Sequence, residues 1–140
     1  MLRLPHPHLI ALRTAATIVL SCLVAQAGWA AAFLGGDTGY RAHHRVGAAV
    51  TVAVCVLAAG VYVVLRRSAG RVNVALAVLV AVGAGMQYAL GEAGITAQHI
   101  FIGVLLGMLG TALTSWTYRH TLPAANAGGD DAGPDLPTET

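Results

Sequence analysis

Four apolar runs, residues 14–36, 46–65, 72–90 and 100–118, occupy most of this chain and are separated only by short polar stretches. Each comes close to the roughly 20 residues that a helix rising 1.5 Å per residue needs to cross the hydrocarbon of a bilayer. With 56% hydrophobic and only 10% charged residues among 140, the chain has too little polar surface for a soluble domain of its size. Short connections make successive spans antiparallel. The predicted fold is therefore all-α, an integral membrane up-down-up-down four-helix bundle over residues 14–120. An N-terminal segment, 1–13, precedes it, and a tail, 121–140, follows. That tail is rich in Ala, Gly, Pro and Thr and holds four of the six acids, so it reads as a disordered acidic segment.

The first run follows Arg3 and Arg13 and contains Ala25-Gln26-Ala27, as a cleaved leader would, but it continues through Trp29 and Phe33 to Gly36. This exceeds a secretory apolar core and reads as an uncleaved first span. Arg3, Arg13, Arg66, Arg67, Arg71 and Arg119 fall on one side of the predicted membrane, Arg41 and Arg45 on the other. Basic residues are retained in the cytoplasm, so both termini are expected there. The absence of lysine and the Ala, Val, Gly and Arg bias point to a bacterial plasma membrane. The surplus of positive charge on the membrane body needs only lipid headgroups as partners, and nothing calls for nucleic acid.

Packing between membrane helices favours small residues, which marks the expected interior faces. In the second run these are His44, Gly47, Ala48, Thr51, Cys55, Ala58, Ala59 and Tyr62; in the fourth, His99, Gly103, Gly107 and Gly110. The first run offers Thr14, Thr17, Ser21, Ala25, Gly28 and Ala32, the third Asn73, Ala77, Ala81, Ala84 and Tyr88. The same glycine-rich faces offer docking to a membrane protein partner or a second copy. Cys22 and Cys55 have no metal-site spacing and read as packed thiols.

The chemistry lies in the histidines. His43, His44 and His99 open the second and fourth runs, which point the same way, so His44 and His99 reach one depth. An ionisable group facing into a membrane bundle is a functional candidate. Two imidazoles at one depth can hold a haem iron between them. Gly47 and Gly103, one turn deeper, are expected to make room for the macrocycle, and Arg41 and Arg45 to meet its propionates. Adjacent residues differ by about 100° around a helix, so whether His43 or His44 faces inward stays open. Glu92 reads as a solvated loop carboxylate, with pairing to Arg41 as its functional alternative. Gln87 is a possible hydrogen-bonding group, and Pro5-His6-Pro7-His8 reads as an unordered end rather than a metal site.

The segment Arg41-Ala42-His43-His44-Arg45-Val46-Gly47-Ala48-Ala49, with Gln98-His99, resembles a four-helix half of the haem A synthase family. His44-Arg45 matches that family's His-Arg pair, and His99 its fourth-helix ligand. The resemblance implies bis-histidine haem at the outer face. Where the active half of the family carries a carboxylate one turn before the ligand, this chain has Arg41, and residues 37–41 lack the family's loop cysteines. These departures imply holding a haem, or keeping a cofactor-binding fold without the reaction, rather than hydroxylating one; the haem expected from the histidine pair is of b type. Hydrolytic and phosphate motifs are absent. The function expected is electron transfer or haem handling, and the alternative is a cofactor-free accessory subunit of a larger membrane complex.

Overall fold

Proline at the first turn gives up no helical hydrogen bond, and His6 Nδ1 accepts from the amide of His8, so the first helix starts at Pro7, well before its apolar run. The computed structural model describes residues 6–122. It contains α1 (Pro7–Leu34), α2 (Tyr40–Val64), the single-turn α3 (Arg66–Ala69), α4 (Arg71–Glu92) and α5 (Thr96–Arg119). The four long helices are each apolar and long enough to cross a membrane, which makes this a multi-pass, all-α membrane bundle. The proposed acidic tail lies outside the described residues from position 123 onward.

The long helices form a ring in the order α1, α2, α4, α5, each packed on its two neighbours in that ring, so that α2 and α5 face each other across the diagonal. Two tight turns, residues 35–39 and 93–95, close one end, here called the mouth. Gly36 and Gly94 supply the positive φ that these reversals require. The other end, the base, holds α3 and the start of α1.

Burial is distributed unevenly along the bundle. Every buried residue of the long helices lies at or below the level of Leu23, Thr51, Ala84 and Leu106. In the base half, Leu12, Val19, Tyr62, Val80 and Leu113 are almost fully enclosed. A polar relay joins all four long helices there. The Tyr62 hydroxyl donates to the Leu12 carbonyl at 3.0 Å and lies 2.7 Å from Thr117 Oγ1, which in turn is 3.3 Å from Asn73 Oδ1. No water competes for these groups at bilayer depth, so each must find its partner inside the protein.

The expected interior faces of α2 and α4 are the buried ones, from Thr51 to Tyr62 and from Asn73 to Ala84. Helix α1 differs. Its buried face is Leu9, Leu12, Ala16, Val19 and Leu23, while Thr14, Thr17, Ser21 and Gly28 are exposed. The reason lies across the seam: a Cβ added at Gly110 of α5 would collide with Leu23, so the glycine faces a leucine rather than another small residue. One small face per pair of helices suffices for close approach.

Candidate functional site

His44 stands one turn into α2 and His99 in the first turn of α5. Because these helices run parallel on opposite corners of the ring, their rings meet in the middle of the mouth half. The centroids are 6.0 Å apart and the planes nearly perpendicular, at 85°. His99 is fixed from α4 by a reciprocal pair: its Nδ1 donates to the Gln87 carbonyl at 2.9 Å, and Gln87 Nε2 donates to the His99 carbonyl at 2.7 Å. This bond leaves Nε2 of His99 free. Among the described residues the buried Nδ1 of His44 has no hydrogen-bond partner, and the backbone of Gln26 lies beside the ring.

The two rings border a cavity of about 520 Å³ lined by all four long helices, a size common for cofactor and ligand sites. Its walls are mostly apolar, with Gln26, Thr51, Gln87, Tyr88 and Thr111 as polar exceptions beside the two histidines. Five buried side-chain polar atoms among the described residues lack a hydrogen-bond partner. Four of them, Gln26 Oε1 and Nε2, His44 Nδ1 and Gln87 Oε1, belong to residues of this wall. Buried polar groups are ordinarily paired, so their concentration here makes this cavity the candidate site of the bundle. Above the histidines the space continues to the mouth between Arg41, Arg45, Glu92 and Thr96.

The structure sorts the residues singled out from sequence. His44 and His99 come together. His43 does not join them: it turns to the outside of the bundle, with Nδ1 on the Gly39 carbonyl and its ring against Tyr40 and Trp29. One residue of helical rotation separates the two orientations. Gly47 opens no room beside His44. Its would-be Cβ falls on Gln26 and Trp29, which cross from α1 and fill that space. Gly103 borders the cavity, but its near side is taken by Gln87 Nε2, 2.9 Å from a would-be Cβ. Arg41 and Arg45 both reach the mouth, Arg41 over the Phe33 ring. Glu92 ends α4 rather than lying in a loop, and pairs with Arg45 at 3.3 Å, not with Arg41. His8 lies in α1 and bonds Ser68, which ties the chain start to α3. No group of three or more His, Cys, Asp or Glu suited to a metal ion occurs among the described residues.

Two contributors escaped the sequence reading. Gln26 is one; its signal was a lone amide in an apolar helix, masked by its likeness to a leader cleavage motif. Gly91 is the other: a Cβ there would stand 3.0 Å from His99 Cε1, so the glycine is the floor on which that imidazole lies. No protein-family model, no curated protein and no solved structure matches this chain.

Proposed function

We propose that the chain is a membrane-embedded haem-binding protein that holds one b-type haem between His44 and His99, for electron transfer or haem handling at the outer side of a bacterial plasma membrane, with both termini cytoplasmic. The observation that carries this reading is the 6.0 Å spacing of the two ring centroids. With metal–imidazole bonds of about 2.0–2.1 Å and ~1.1 Å from nitrogen to ring centre, one metal ion held by both imidazoles would need ring centres about 6 Å apart. The residues present fit the group. His99 offers Nε2 while its Nδ1 is tied to a backbone carbonyl, the arrangement that fixes a ligand's tautomer and raises its basicity.

Held by His44 and His99, the haem would supply one-electron redox chemistry. The protein's own part is to aim both imidazoles, to keep water away with apolar walls, and to offer two guanidinium groups to carboxylates at the mouth. Arg41 and Arg45 are exposed there, one helical turn apart on α2, and would meet the propionates, Arg45 in exchange for its pairing with Glu92. The reading also agrees with what the resemblance to a half of the haem A synthase family implies.

An absorption spectrum of the detergent-extracted protein, oxidised and reduced, tests the proposal. A reducible Soret band is expected, lost in His44→Ala and in His99→Ala and retained in His43→Ala. A colourless protein reconstituted with haem to no effect sinks the reading and leaves a scaffold of unassigned partner.

A further inference from the structure

The mouth half of the bundle has four seams, and three are latched. Between α1 and α2, Gln26 and Trp29 lie on Gly47. Between α2 and α4, Arg45 pairs with Glu92 at 3.3 Å. Between α4 and α5, Gln87 and His99 exchange two hydrogen bonds. The fourth seam, between α1 and α5, is bonded only in the base half, where Arg13 donates to the Tyr118 carbonyl, Thr17 meets the Tyr118 hydroxyl and Thr114 donates to the Ala16 carbonyl. Among the described residues no hydrogen bond or ion pair crosses its mouth half.

That half is lined by small or short apolar side chains, and the same side chains face both the cavity and the outside. Val24 and Leu34 of α1 are each 62% exposed, and Ile100 and Val104 of α5 are 48% and 60% exposed, yet all four border the cavity. On the opposite wall at the same depth, His44, Ala48 and Gln87 are half-buried. The cavity therefore opens sideways, through α1 and α5, at a depth where the surroundings are lipid.

We propose that the mouth half of the α1–α5 seam is a lateral portal through which the ligand of the histidine pair enters from the bilayer rather than from water; the identity of that ligand as haem rests on the function proposed above. The physics favours this route for a flat, amphipathic ring. In a membrane its apolar body lies in hydrocarbon and its carboxylates at the headgroups, the depth relation that the cavity and the mouth arginines already have. Entry from water would instead carry the ring past an ion pair and a stacked guanidinium. Sideways entry lets the carboxylates travel along the headgroup level toward Arg41 and Arg45 while the ring slides between Val24, Ala31, Ile100 and Val104.

Two measurements test the portal, one of them independent of haem. In a Trp29→Phe, Trp116→Phe background, Ala48→Trp places an indole on the far wall of the cavity, and the protein is reconstituted in phosphatidylcholine vesicles with or without brominated acyl chains. Brominated lipid is expected to quench that fluorescence by at least half and more strongly than aqueous iodide; stronger quenching by iodide than by brominated lipid, or quenching by neither, overturns the portal. For loading, haem presented in vesicles is expected to produce the Soret band at least tenfold more slowly in Ala31→Trp/Val104→Trp, which narrows the seam, and within twofold of the unmodified rate in Glu92→Ala, which unlatches the mouth. The reverse pattern overturns it. If no Soret band forms in any protein, the haem reading fails, while the quenching result still decides the portal.

Discussion

At the scale of single residues, the site depends on how His99 is held. Its imidazole lies on Gly91 and donates to the Gln87 carbonyl, two contacts from one face of α4 that leave the ring a single orientation. Groups that orient a metal ligand typically govern 10–100-fold in affinity. Gly91→Ala puts a methyl 3.0 Å from His99 Cε1, tighter than a fixed ring tolerates, and the ring or α5 must yield. Gly91→Ala is expected to weaken haem binding at least tenfold in a spectrophotometric titration. Gly85→Ala, one and a half turns earlier with nothing within 4 Å of the new methyl, serves as the control and should bind as the unmodified protein does.

At the scale of elements, the base half of the α1–α5 contact shows why glycine position matters more than glycine number. Gly110 receives Leu23, whereas a Cβ on Gly107, one turn earlier, meets nothing within 4 Å. Overpacking costs roughly 1–3 kcal/mol, and alanine is intrinsically better than glycine in a helix by up to about 1 kcal/mol. Gly110→Ala should therefore destabilise the bundle by about 1–2 kcal/mol in detergent unfolding, and Gly107→Ala should leave it unchanged or slightly stabler. The spans, the bundle class and the inward faces of α2 and α4 were legible in the sequence, since membrane length and small-residue periodicity are one-dimensional signals. So was the approach of one histidine of the 43–44 pair to His99, which follows from two parallel helices with histidines near their starts; which of the two turns inward stays open in the sequence, and the structure turns His44. What the sequence did not carry was the choice of partner surfaces. The buried face of α1 is set by which glycines oppose it, Gly47 is filled by a tryptophan from another helix, and Glu92 reaches Arg45 rather than Arg41 because the end of α4 decides the reach. Each of these is a relation between helices, which a reading of one helix at a time does not contain.

At the scale of the whole molecule, the protein is a sealed base joined to an open mouth. The base holds the buried core and the Tyr62–Thr117–Asn73 relay, whereas among the described residues the mouth half holds no buried residue and has the four unpartnered polar atoms of the cavity wall. Such a division predicts unequal local stability, because segments with few buried contacts open at lower free energy than the core. A ligand bound only by the folded mouth adds stability by mass action, about 2.7 kcal/mol at a free concentration one hundred times its dissociation constant. In detergent, amides of residues 24–34, 40–50 and 96–105 should exchange faster than those of 9–23, 51–62 and 106–117 without haem, and slow toward the base values when haem is added. His44→Ala/His99→Ala should keep the base protection and lose the haem-dependent change. Tyr62→Phe should do the opposite: it removes a relay worth roughly 0.6–1.7 kcal/mol by the measure of intramembrane hydrogen bonds, speeds exchange in the base, and leaves the haem-induced slowing in place. Equal exchange in both halves before haem is added would mean that the mouth is held by something other than its own packing. A Tyr62→Phe effect confined to the mouth would mean that the two halves are energetically one.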